Sequence, residues 1–159
     1  MINFEDTAKL MNNLLTAGGF LSSGDNVMTI SWGMAGVLWR KKVFLAVVRK
    51  SRYTHSFIEQ NKTFTVSVPY DGDMKSALGV CGSVSAKSGI DKWEKAGIEK
   101  QKAKSVDGYV VKGCKGYLEC RVITRLDMGA CDLKEIGTFY ADGDMHDFYF
   151  AEIIDEYYD

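Results

Sequence analysis

The sequence predicts a mainly β, α+β fold: a closed or partly closed antiparallel barrel with a few flanking helices. Two observations carry this. Seven short runs rich in apolar, β-branched and aromatic residues are punctuated by Gly and Asp. Strand–helix alternation regular enough for a doubly wound parallel sheet is absent. A third observation sets the scale. The chain has 159 residues, 46% of them hydrophobic and 26% charged, which fits one domain with its own core over residues 1–159.

The elements follow in order. Phe4, Ala8, Met11, Leu14 and Leu15 share one face of a helix that Gly18-Gly19 stops. The strand candidates are Phe20–Ser22, Val27–Trp32, Val43–Arg49, Phe64–Pro69, Tyr117–Leu126, Glu135–Ala141 and Phe148–Ile154. Val43–Val48 is apolar on both faces and reads as a central strand covered on each side. Phe64, Val66 and Val68 alternate with Thr65 and Ser67, the pattern of a half-exposed strand. Helices are expected at Thr54–Asn61, with Thr54 as its cap, at Met74–Val80, and at Ile90–Gly97, with Asp91 near its start. Gly33-Met34-Ala35-Gly36 reads as a turn, and the Lys-rich, poorly patterned stretch Lys100–Lys115 as loop with room for one strand.

Charge and cysteine usage narrow the function classes. Lys and Arg number 20 against 21 Asp and Glu, so no general attraction to nucleic acid follows. Residues 127–159 carry only Lys134 against 10 acids, but interleaved Phe148, Tyr149, Phe150 and Ile153 make that segment a folded strand. The four cysteines, at 81, 114, 120 and 131, contain no CxxC pair, and His55 and His146 lie far apart. No metal site is expected, and free, reduced, partly buried thiols are. No apolar run approaches the roughly 18 residues of a membrane span. The opening residues do not read as a signal peptide, so the expected location is the cytoplasm.

Three segments carry chemistry. The first is Val48-Arg49-Lys50-Ser51-Arg52-Tyr53-Thr54, where a strand runs into a helix start. Unpaired amides, cations and hydroxyls there suit a phosphate monoester, although an ordinary basic turn on a solvated face has the same composition. The second is Asn26-Val27-Met28-Thr29-Ile30-Ser31-Trp32, an apolar wall with placed polar groups, suited to a flat heteroaromatic ligand or to a strand with one wet face. The third is the hydroxyl-rich stretch Cys81 to Trp93, including Ser83, Ser85 and Lys92, which a plain surface loop also explains. No GxGxxG, GxxxxGK[ST] or GxSxG pattern accompanies them. His146, between Asp144 and Asp147, reads as a surface histidine.

Together these segments resemble the flavin reductase-like family, flavoredoxins included, in order and spacing over about residues 10–125, with Tyr140–Ile153 similar to the closing strands. The resemblance implies an antiparallel split β-barrel of Greek-key type that binds FMN and works as an oxidoreductase. It implies that Arg49, Ser51 and Thr54 hold the FMN phosphate. Asn26, Thr29, Ser31 and Trp32 would line the ring and ribityl chain, and Ser83, Ser85 and Lys92 would approach from the later loop. Lys92 is also the candidate cation beside the reduced ring. Two departures are present: Lys42 stands where a Pro is common, and Ala86-Lys87 replaces a Gly-Arg pair in a loop one residue longer. The implied activity is NAD(P)H-dependent flavin reduction, with NADH or NADPH as transient donor and a homodimer carrying FMN near its interface. An FMN electron carrier without nicotinamide turnover is the nearer alternative. A nucleic-acid-binding β-barrel using Arg40–Arg52 and Tyr53 is the distant one.

Overall fold

The computed structural model describes residues 4–132 and 134–159. The chain begins with helix α1 (Phe4–Ala17), then strands β1 (Gly19–Ser23), β2 (Asn26–Ile30), β3 (Gly33–Leu38) and β4 (Lys41–Arg49). Helix α2 (Tyr53–Asn61) and β5 (Thr63–Val68) follow, and then α3 (Lys75–Ser83) and α4 (Lys92–Ala96). After β6 (Lys100–Lys102) and β7 (Tyr109–Val111) come the long β8 (Gly116–Asp127), a helical turn α5 (Ile136–Phe139) and β9 (His146–Tyr158).

Seven strands form one antiparallel sheet in the order β2-β1-β5-β8-β9-β4-β3, and β6 and β7 pair separately. Register shifts between Glu119 and Cys120, and between Val122 and Thr124, interrupt the β8–β9 ladder. Bulges of this kind bend a strand and increase twist, which lets one sheet roll round a core. Leu21, Met28, Phe44, Phe64, Leu118 and Tyr149 fill that core, and Leu10 and Leu14 of α1 close it. A second apolar layer lies elsewhere: Phe20 and Val27 pack with Leu78 of α3, Trp93 of α4 and Val110 of β7.

That second layer explains one departure from the sequence expectations. β5 is buried along almost its whole length, not half exposed. The Thr65 hydroxyl donates to the Tyr109 carbonyl at 2.6 Å, and Ser67 Oγ accepts from the Val111 amide at 3.0 Å, so the polar face of β5 is covered by β7. Glu119 of β8 is also wholly buried. Its carboxylate accepts from the amides of Lys104, Ser105 and Val106 at 2.8, 2.6 and 3.1 Å, and from the Tyr157 hydroxyl at 2.9 Å. A buried carboxylate is tolerable because four donors replace its water.

Three further expectations are corrected. β4 is not central: it lies second from the sheet edge, between β9 and β3. Phe44 and Val48 enter the core, whereas Val43 and Leu45 line an outer groove with Met34, Val37 and Phe150. Gly33–Gly36 belongs to β3, not to a turn. A Cβ on Gly33 would meet the Leu45 carbonyl oxygen at 2.7 Å, so this glycine permits close strand approach. The hairpin turn is Trp39-Arg40, both at positive φ (51° and 61°), the geometry of a two-residue primed turn. Glu135–Ala141 is not a strand; it contains the helical turn α5. Both edges of β8 and of β9 are already paired, so the segment that connects them cannot add to either strand.

Candidate functional site

β4 and β9 pair antiparallel with Arg49 opposite His146. This brings the end of β4, the start of α2 and the first residue of β9 to one place. Two cavities open there, of about 170 and 210 Å³. The first is lined by Met28, Thr29, Ile30, Ser31, Trp32, Val47, Arg49, Arg52 and His146. The second is lined by Asn26, Met28, Ser51–Thr54, Val84–Ala86 and Lys92. Met28 and Arg52 border both, so the cavities form one groove with the Arg52 side chain across its middle. Their combined volume reaches the lower end of the range of about 300–1,000 Å³ that ligand pockets occupy.

The groove gathers nine of the ten residues singled out in the sequence. Thr29, Ser31, Trp32 and Arg49 line the first cavity, and Asn26, Ser51, Thr54, Ser85 and Lys92 the second. Ser83 is not among the lining residues; its hydroxyl bonds back to the Gly79 carbonyl at 2.8 Å within α3. Thr29 Oγ1 donates to the Leu78 carbonyl at 2.5 Å, tying β2 to α3. Thr54 is buried and does not cap α2. The cap position is Arg52, and Thr54 Oγ1 instead accepts from Asn26 Nδ2 at 2.9 Å, which fixes β2 against the helix start. Lys92 is buried, with Nζ donating to the Cys81 carbonyl at 2.7 Å. Burial pushes its pKa down, Cys81 opposes that shift, and Arg52 adds to it.

The basic run at 40–52 is not an open cationic face. Lys41 pairs with Glu152, Lys42 with Glu156, and Lys50 with Asp127. Arg49 lies 3.6 Å from Asp144 and 3.7 Å from Asp142. The Asp144 carboxylate also accepts from the Ser51 hydroxyl at 2.5 Å and the Ser51 amide at 3.2 Å. Burial works against that carboxylate, but the two Ser51 donors and Arg49 together hold its pKa below the usual range. The acids at 142, 144, 152 and 156 thus neutralise the cations that a nucleic-acid surface would present.

Two site residues escaped the sequence reading. Arg52 crosses the groove, with Nη1 donating to the Gly82 carbonyl at 2.9 Å. His146 is not a surface histidine: it is 7% exposed. Its ring lies 4.8 Å from that of Trp32, and Nδ1 is 2.7 Å from the Tyr140 hydroxyl. Burial first, and then the Arg49 charge, push its pKa down to about 4, so it is neutral at pH 7. With the Tyr140 hydroxyl as donor, the ring proton sits on Nε2. Arg52 lies within the basic turn, but composition does not show that its side chain crosses the groove; His146 belongs to no motif, and the β4–β9 register reveals it.

Residues 11–156 match the family described as Flavin reductase like domain. The chain belongs to the flavin reductase-like family. Over 104 residues it is 31% identical to an uncharacterised protein of Archaeoglobus fulgidus, a match spanning 65% of this chain and 57% of that protein. The crystal structure of flavoredoxin from Methanosarcina acetivorans shares 26% identity, covers 90% of this chain and 68% of its own, and has a TM-score of 0.70. An FMN-binding domain of a flavin reductases-like enzyme from Shewanella baltica shares 25% identity, with 96% and 74% coverage and a TM-score of 0.69. The split-barrel reading of the fold therefore stands. No described helix is long and apolar enough to cross a membrane.

His146 makes the stability of the fold depend on pH. A histidine whose folded pKa lies below its unfolded value contributes stability that is complete above about pH 6.5 and is lost as pH falls towards about 4. Between pH 7 and 5 the native protein should lose about 1–2 kcal/mol to this group. Urea denaturation at the two pH values, repeated with His146→Gln, measures it. The variant should lose that much less; equal losses would place the pH sensitivity elsewhere.

Proposed function

We propose that this chain binds FMN in the two-part groove and acts as an oxidoreductase, reducing flavin at the expense of NADH or NADPH. The observation that carries the reading is the anion already seated at the groove: the Asp144 carboxylate, held by Ser51 Oγ, the Ser51 amide and Arg49. Donors that converge on a carboxylate suit a phosphate monoester equally well. The first-turn amides of α2 lie beside them, at the positive end of that helix. Arg49, Ser51 and Thr54 would hold the phosphate.

The other end of the groove fits a flat ring. Met28, Ile30 and Trp32 supply apolar surface, while Ser31 and Thr29 supply polar atoms at its margin. The Asn26–Thr54 bond fixes the distance between this wall and the phosphate corner. Neutral His146 packs 4.8 Å from Trp32, and both rings line the first cavity. Arg52 borders both cavities, so its positive charge would favour an anionic form of a bound ring, whereas Lys92 lines the second cavity. FMN, when bound, would supply the redox chemistry of hydride and electron transfer. No general base is needed for that transfer, in keeping with a groove that has no nucleophile–base pair among its described residues.

The same reading includes a homodimer. Trp32 at the groove mouth, Met34 and Val37 on the edge strand β3 and Trp39 at its turn are 55%, 60%, 53% and 68% exposed. Exposed apolar side chains in a row along an unpaired edge are a liability in a monomer. Light scattering should give twice the chain mass, and Met34→Lys should shift the mass towards one chain; a monomeric native protein would contradict this.

Two measurements test the function itself. Flavin fluorescence titration should show FMN binding, weakened about 10- to 150-fold by Arg49→Ala, the equivalent of about 1.5–3 kcal/mol for a charged hydrogen bond. Unchanged affinity would refute the phosphate assignment. Anaerobic stopped-flow mixing of the FMN-loaded protein with NADH and with NADPH should bleach the flavin absorbance within the catalytic timescale. No bleaching with either would favour an electron carrier reduced by another protein.

A further inference from the structure

We propose that Asp144 is an internal competitor for the phosphate corner, so that FMN enters by displacing a carboxylate of the chain itself. This rests on the phosphate reading of that corner. Ser51 has two donors and Arg49 one guanidinium edge directed there, and in the structure all three serve Asp144. A phosphate monoester bound by the same donors cannot share them with a carboxylate. Two anions in one corner also repel.

The geometry favours a side-chain exchange over a rearrangement of the fold. The backbone on both sides of Asp144 is anchored. The Gly143 amide donates to the Tyr140 carbonyl at 2.9 Å, the Lys50 amide donates to the Met145 carbonyl at 3.0 Å, and His146 is already in the β9 ladder opposite Arg49. The Asp144 side chain is 29% exposed, so rotation carries it into water. Its neighbour Asp142 lies 3.7 Å from Arg49 and accepts from the Asp144 amide at 3.2 Å, which adds to the anchoring of that backbone, and it makes no hydrogen bond to Ser51.

The consequence is quantitative. Only molecules with the carboxylate turned out are competent for the phosphate, and the apparent dissociation constant rises by the inverse of their fraction. A partly exposed ion pair with two neutral donors holds the closed form by a modest margin, on the order of 3- to 10-fold. The penalty falls on FMN and not on riboflavin, which has no phosphate to place. Asp144 therefore tunes the protein towards a flavin that exchanges.

The experiment is a comparison of FMN and riboflavin affinities, by fluorescence titration, for the native protein, Asp144→Asn and Asp144→Ala. Asparagine keeps the shape but retains an acceptor that Ser51 can still engage, so alanine is the cleaner variant. The expected result is FMN affinity about 3- to 10-fold tighter in Asp144→Ala, a smaller gain in Asp144→Asn, and riboflavin affinity unchanged in both. FMN affinity that is unchanged or weaker in both variants overturns the proposal and makes Asp144 a positioning residue for Arg49 and Ser51. A native protein that binds FMN no better than riboflavin is a different failure: it removes the phosphate assignment, and the proposal with it.

Discussion

The pairing of β4 with β9 is the constraint on which the site depends. It places Arg49 opposite His146. It thereby sets the strand-to-helix turn of residues 49–53 against the loop of residues 140–145, two segments nearly a hundred residues apart in sequence. A slip of one residue in this ladder would turn Arg49 and His146 to the wrong face of the sheet. The register is held by the core, because Phe44, Ala46 and Val48 alternate inward on β4 while Tyr149 and Ala151 do so on β9. The apolar interior thus fixes the polar corner without touching it.

The second constraint is the outer layer. α3, α4 and β7 cover β1, β2 and β5 and bury residues that a bare sheet would leave wet. The Glu119 carboxylate latches the loop between β6 and β7, and Thr29 ties β2 to α3. These ties position Lys92 and Ser85 along the groove. The lysine is buried only because α4 begins where the Cys81 carbonyl is available to it. Structural and functional roles share residues here: Thr29, Thr54 and Lys92 all line the groove and all hold secondary structure together.

Much of this was legible in the sequence, for identifiable reasons. The strands of the main sheet follow apolar runs, and the turn at Arg49–Thr54 announced itself by cations and hydroxyls at a strand end. Glu135–Ala141 misled because strand propensity says nothing about whether a ladder has a free edge. β3 was hidden because Gly33 and Gly36 read as turn residues, whereas Gly33 serves close packing against Phe44 and Leu45. Thr65 and Ser67 looked like a solvated face because their covering strand, β7, is three residues long. His146 looked exposed because its neighbours in sequence are acids, while its neighbours in space are Trp32 and Tyr140. Asp144 was invisible for the same reason: long-range register, not local pattern, brings it to Arg49 and Ser51.

The most direct measurement is a crystal structure of the protein grown with FMN. The expected result is a phosphate within hydrogen-bonding distance of Ser51 and Arg49, the ring against the strand that carries Thr29 and Ser31, and the Asp144 side chain turned out to solvent. Asp144 still bonded to Ser51, with the phosphate bound elsewhere on the surface, would contradict it.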